Sequence, residues 1–454
     1  MRQDIRHIGL LFLVLSLAAC DVQQPPKRNS NGVDVGARLG GDATVFEESR
    51  LSFAQPIPGL SPDATRRHDA GDRAFEDVFV TAPAAVNGGL GPAFVQPSCD
   101  ACHARDGRTP GEVLMRLSTP GTGPHGGARP ADGFGTQLQT RALYGYPVEG
   151  RLAVQQQTIR GEMADGTPYT LTKPVYTIES PYGPLPANLL TSVRAPRPVF
   201  GLGLLEAVPD ATLRELAATQ QAAANGISGE VNMVWNMETK TKDIGRFGWK
   251  ATQPTLLQQS ADAYIHDMGV TSSLFPNELT DDQPGFDDGL SDEPEITDET
   301  LDDVTFYVQT LAVPARRNID DPAVQQGARL FEQIGCATCH RPTLRTGTLE
   351  GVPSVSNQTI HPFTDMLLHD MGPDLADGRP VFDASGQEWR TPPLWGIGLT
   401  DLVNGRAEYL HDGRAETLQE AILWHGGEAR AAQQAYTRLS KDERDAVLAF
   451  LRSL

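Results

Sequence analysis

Ser98-Cys-Asp-Ala-Cys-His-Ala-Arg105 places two cysteines three apart and sets a histidine directly after the second. The pattern returns far downstream as Gly335-Cys-Ala-Thr-Cys-His340. The chain holds five cysteines and ten histidines, so one such pentapeptide is expected by chance in roughly one chain per thousand, and two are not accidental. The layout suits covalent attachment of haem. Each thiol adds to one vinyl group, and the adjacent imidazole reaches the iron. A four-cysteine zinc site would leave both histidines unexplained, and a pair of redox dithiols is the other alternative.

The c-type cytochromes use this arrangement, and resemblance to them makes His103 and His340 proximal ligands of two covalent haem c groups held at Cys99, Cys102, Cys336 and Cys339. Once the haems are attached, none of these four cysteines is left for thiol chemistry. The fifth, Cys20, ends Leu17-Ala-Ala-Cys20 after a charged start and a short apolar run. That ending resembles a bacterial lipobox. It predicts a signal peptide over residues 1–20, a lipidated Cys20, a tether over 21–60 and a periplasmic protein anchored to a membrane.

With 45 glycines, 34 prolines and a hydrophobic share of 39%, the chain is rich in loops and short of aliphatic core. A buried prosthetic group would supply the missing apolar bulk. A net charge of −20 argues against nucleic acid and permits a basic partner, such as a small electron-donor protein.

The chain is written twice. Gly71-Asp-Arg-Ala-Phe75 precedes the first motif as Gly327-Ala-Arg-Leu-Phe331 precedes the second. Arg194-Ala-Pro-Arg-Pro matches Arg390-Thr-Pro-Pro-Leu, the segment around Thr255 matches that around Thr417, and 303–311 matches 446–454. The expected fold is mainly α: two cytochrome c-like haem domains in tandem, 61–315 and 316–454. In each, an opening helix packs on a closing one. A loop and β-hairpin insertion, with Asp165-Gly166 as its turn, enlarges the first. The acidic stretch 280–303 reads as a solvated loop, with a calcium site between the halves as the alternative.

This layout resembles the bacterial dihaem cytochrome c peroxidases, and more closely the dihaem oxidoreductase family of peroxidase-like proteins, also called thiol oxidoreductases. The likeness spans roughly residues 65–454. It is carried by Gly89-Gly-Leu-Gly-Pro, 194–204, Asp267-Met-Gly, Leu311-Ala-Val-Pro-Ala-Arg-Arg and Phe363-Thr-Asp-Met-Leu-Leu-His-Asp-Met-Gly. It implies an oxidoreductase that takes electrons at the C-terminal haem and reduces hydrogen peroxide at the N-terminal one. A non-enzymatic dihaem electron carrier and a peroxide-driven oxidase of other proteins are the alternatives.

The sixth ligand decides which haem does chemistry. In the second half, the helix after Thr417 leads to His425 at the place where the peroxidases carry that ligand, with His369 and Met371 as rivals. The same count in the first half reaches Ala263, whose methyl group cannot bind iron. The resemblance implies a catalytic amide and carboxylate there, best matched by Gln259 and Asp267. His266, His125 and Met115 are candidates to close the site. Trp249, Trp395 and Trp424 read as packing, with electron relay as the alternative.

Overall fold

The computed structural model describes residues 32–278, 290 and 293–454. The signal peptide with Cys20, the start of the tether and half of the acidic stretch lie outside the described residues. Among the described residues, no helix is long and apolar enough to cross a membrane.

Two helix pairs frame the cavities. Pro62–Glu76 packs against Asp298–Thr310, and Pro322–Gln333 against Lys441–Ser453. Their starts are set locally. Ser61, Thr297, Asp321 and Ser440 each accept a backbone N–H of the first turn, and Ser440 forms a capping box with Glu443. A glycine lies at each crossing. A β-carbon on Gly71 would stand 2.0 Å from the Asp303 carbonyl oxygen, and one on Gly327 would stand 1.9 Å from that of Ala446. Phe75 and Phe331, one turn on, project beside the motif histidines: their rings lie 6.2 Å from His103 and 6.3 Å from His340.

The expectation of a mainly α, tandem cytochrome c-like fold is overturned. The chain is 32% helix and 20% strand. Among the described residues, the strands form six two-stranded sheets and one three-stranded sheet. The reason is the loop-rich composition. Long connections satisfy their backbone groups by pairing in short ladders, several only two residues long. The longest ladder is the insertion, Arg151–Glu162 against Pro168–Glu179, which turns at Asp165-Gly166. Its tip reaches the other half, where Asp165 pairs with Arg444 at 2.8 Å and Ala164 N–H donates to the Thr437 carbonyl.

Part of the expected tether is also corrected. Val33, Val35, Leu39, Ala43, Phe53 and Ile57 are buried in the main core. Thr44–Val45 pairs in parallel with Val313–Pro314, the stretch joining the halves. Apolar side chains spaced through a polar, glycine-containing segment let 33–57 pack as a strap over that junction.

Candidate functional site

Each Cys-x-x-Cys-His motif opens onto its own cavity, with about 1410 Å³ of empty space in the first half and about 1390 Å³ in the second, partly open to solvent. Cys99, Cys102 and His103 line the first; Cys339 and His340 line the second. The four cysteines are free thiols. Burial pushes Cys99 and Cys336 up to about 12, which holds them as neutral SH groups.

The histidines are prepared as ligands. His103 Nδ1 lies 2.8 Å from the Arg197 carbonyl oxygen, His340 Nδ1 3.0 Å from that of Phe363, and His425 Nδ1 2.7 Å from that of Ala421. A carbonyl only accepts, so each Nδ1 carries the proton and each Nε2 keeps a free lone pair. Burial lowers all three, His103 and His340 to about 4, so they are neutral at ordinary pH.

In the second cavity, the helix Leu418–Leu423, capped by Thr417, carries His425 to face His340. The two ring centres are 6.5 Å apart. A metal bound by Nε2 on both sides, with bonds of about 2 Å, sets the ring centres about 6 Å apart, so the pair fits one iron. His369 is not free to compete. Its Nε2 lies 2.9 Å from Asp365 and its Nδ1 2.6 Å from Glu428, and these partners overcome burial to hold it as an imidazolium. The grouping of Cys339, Asp365 and His369 is compact enough for a metal ion, but Cys339 also belongs to the second Cys-x-x-Cys-His motif. Met371 remains in the wall.

The first cavity is built differently. The equivalent helix, Leu256–Ala263, is capped by Thr255 and ends in a π-turn at Tyr264–Met268. That turn resets the phase. Gln259, Ala263, Tyr264, Asp267 and Met268 reach the cavity, and His266 does not. Instead, His266 Nδ1 lies 3.0 Å from Asp262 Oδ1. Met115 is excluded by strand alternation: Leu114 and Arg116 face the cavity, while Met115 is buried in a separate apolar cluster. His125 stacks on Trp235 at 4.1 Å and does not line the cavity. His103 is thus the only imidazole in this wall among the described residues.

Asp267 Oδ1 accepts a hydrogen bond from Gln137 Nε2 at 2.8 Å. Burial raises its pKa, against the opposing pull of Arg116 and Gln137. Arg116 itself pairs with Asp262 at 3.2 Å. Between the cavities stands Trp249, which lines both; its indole N–H donates to the Ala195 carbonyl at 2.8 Å, and the Arg197 guanidinium lies 4.7 Å from its ring centre. Trp395 borders only the second cavity, and Trp424 neither.

The family described as "Di-haem oxidoreductase, putative peroxidase" matches residues 33–117 and 137–454. The chain belongs to this family. The gap in the match, 118–136, falls at the start of the insertion. No curated protein matches the chain. Among solved structures, hydrazine synthase of Kuenenia stuttgartiensis is similar at 13% identity and a TM-score of 0.35, covering 98% of this chain and 100% of that one. A likeness that slight carries nothing about the fold or the chemistry here. Membership of the family brings two haems, and the two cavities with their prepared imidazoles fit them.

Arg116, Gln137, Tyr264 and the arginines around Trp249 escaped the reading of the sequence. Only the place of Arg194 and Arg390 at matching points of the repeat hinted at a shared task.

Proposed function

We propose that the protein is an exported dihaem c-type oxidoreductase that reduces peroxide at its N-terminal site with electrons received at its C-terminal one. The reading is carried by the difference between the cavities: an imidazole faces His340, while an alanine, an amide and a carboxylate share the wall around His103. Bound haem supplies the redox-active iron and, where a coordination position is free, the place where peroxide binds.

The remaining work falls to side chains. Cys99 with Cys102, and Cys336 with Cys339, hold the two groups as thioethers. His103 and His340 would ligate the two irons. His425 would be the second imidazole at the C-terminal site, restricting that site to passing electrons. In the first site, Ala263 leaves room for a small oxidant and the Gln259 amide orients it. Asp267 takes a proton from the attacking peroxide oxygen and returns it to the departing one. The balance is H2O2 + 2 e− + 2 H+ → 2 H2O. A raised carboxyl pKa suits this shuttle, because donor and acceptor forms then lie closer in energy near neutrality. Trp249, in the wall common to both cavities, would bridge them for the electrons. The net charge of −20 suits a small basic redox protein as donor. A lipidated Cys20 would hold the enzyme at a membrane surface.

EPR and resonance Raman spectra of the oxidised and half-reduced holoprotein test this reading. One haem is expected low-spin with two imidazoles, the other high-spin or able to become so and reactive with peroxide. Asp267→Asn is expected to cut peroxide turnover by about 100-fold or more without changing either spectrum. Two low-spin haems inert to peroxide in every redox state, with Met268 as the sulfur closing the first, would leave only an electron carrier.

A further inference from the structure

Among the described residues, three arginines around the wall between the cavities have no anionic partner. Arg194 lines the first cavity, and Arg197 and Arg390 line both. Arg194 is 8% exposed and Arg390 2%. Arg194 Nη2 and Arg390 Nη1 are buried without any hydrogen-bond acceptor. Arg197 Nη1 and Arg390 Nε both donate to one acceptor, the Gly248 carbonyl, each at 3.2 Å, which fixes the two guanidinium groups side by side. The charges nearest Arg197 are Arg390 and Arg108, both of like sign. The carboxylates nearest the other two are already committed: Asp365 to His369 and Gln220, Asp377 to Lys250, Asp262 to Arg116.

Buried cations in this number require anions. Each haem brings two propionate carboxylates, and a carboxylate is the planar partner that a guanidinium fork matches best. The repeat supplies an independent argument. Arg194 ends the strand Leu190–Arg194 and Arg390 ends the strand Glu388–Arg390. They occupy matching positions of the two halves, and each presents an orphaned nitrogen. We propose that Arg194 and Arg390 are equivalent anchors for haem propionates, one in each half, and that Arg197 completes the anchor on the shared wall. The proposal rests on the reading that each cavity holds a haem. It adds a consequence: the same cations stabilise the reduced irons, and through Arg197 and Arg390 both haems feel one charge cluster.

Spectroelectrochemical titration of matured holoprotein, with haem per chain counted first, tests it. Arg194→Gln is expected to lower the reduction potential chiefly of the first haem. Arg390→Gln and Arg197→Gln should lower both, and Arg390→Lys should recover part of the shift. Arg66→Gln, on an exposed helix face, should change neither. Wild-type protein without two haems overturns the parent reading and the anchor with it. Two haems with unchanged potentials in the glutamine variants overturn the anchor alone. Should the variants fail to mature, a crystal structure of wild-type holoprotein decides. Propionate oxygens about 3 Å from these guanidinium nitrogens support the anchor; propionates turned to solvent, or a free anion on the arginines, refute it.

Discussion

His425 concentrates the proposed asymmetry between the two sites in one side chain. Replacing it with alanine is expected to convert the second haem from low-spin to high-spin and to make it bind carbon monoxide or cyanide, as visible absorption would show. A histidine facing solvent would give no such change. Asp106 carries a different signal. It lies three residues past His103, is 4% exposed, and accepts a hydrogen bond from Tyr307 Oη at 2.8 Å. Burial, only partly offset by that bond, pushes its carboxyl up to about 8. A folded-state pKa above the unfolded value means that the folded protein binds the extra proton, so stability falls as pH rises from about 4 through about 8. Thermal melts of holoprotein are therefore expected to show a loss across that range, and Asp106→Asn should flatten it. The cysteines and their histidines were legible at this scale because the Cys-x-x-Cys-His pattern is contiguous in the chain. Gln137 and Arg116 were not, because nothing in their neighbours along the chain says that they will meet Asp267.

At the scale of elements, the two helix crossings depend on glycine. In a helix interior, alanine for glycine ordinarily gains about 0.5–1 kcal/mol. At Gly71 and Gly327 the new methyl group would meet backbone at 2.0 and 1.9 Å, so the sign should reverse. Gly327→Ala is expected to destabilise by about 1–3 kcal/mol in denaturant titration, and a stabilising result would mean that the helices do not approach so closely. The framing helices were legible through the repeat, in which Gly71–Phe75 answers Gly327–Phe331 and 303–311 answers 446–454. Of the sheets, only the hairpin that turns at Asp165-Gly166 was. Ladders of two residues, such as Ala93–Phe94 with Arg141–Ala142, are too short to show an alternating pattern. The π-turn at Tyr264–Met268 was equally silent, yet it brings Asp267 into the cavity and keeps His266 out.

Across the whole molecule, the halves are locked by a buried cation. Lys250 is fully buried; its ammonium bonds Asp377 at 2.8 Å, the Ser385 carbonyl at 2.7 Å and the Arg379 carbonyl at 3.1 Å. It stands next to Trp249, so it also fixes the wall between the cavities. Lys250→Met would strand the carboxylate of Asp377 and is expected to cost about 3–5 kcal/mol by chemical denaturation, whereas the double variant Lys250→Met with Asp377→Leu should recover much of that loss. Equal instability in both would show that the ion pair is not what matters.

By itself, the sequence determined that two Cys-x-x-Cys-His motifs stand in duplicated halves, that His425 and Ala263 occupy matching places, and that helices open and close each half. These follow from covalent chemistry and short-range periodicity, which a linear chain displays directly. Tertiary structure alone decided that the strap 33–57 covers the junction, that short ladders rather than helices fill the connections, and that unpaired arginines from both halves converge beside Trp249. Such features depend on which distant segments share a low-dielectric interior, and burial of that kind leaves no periodic trace along the chain.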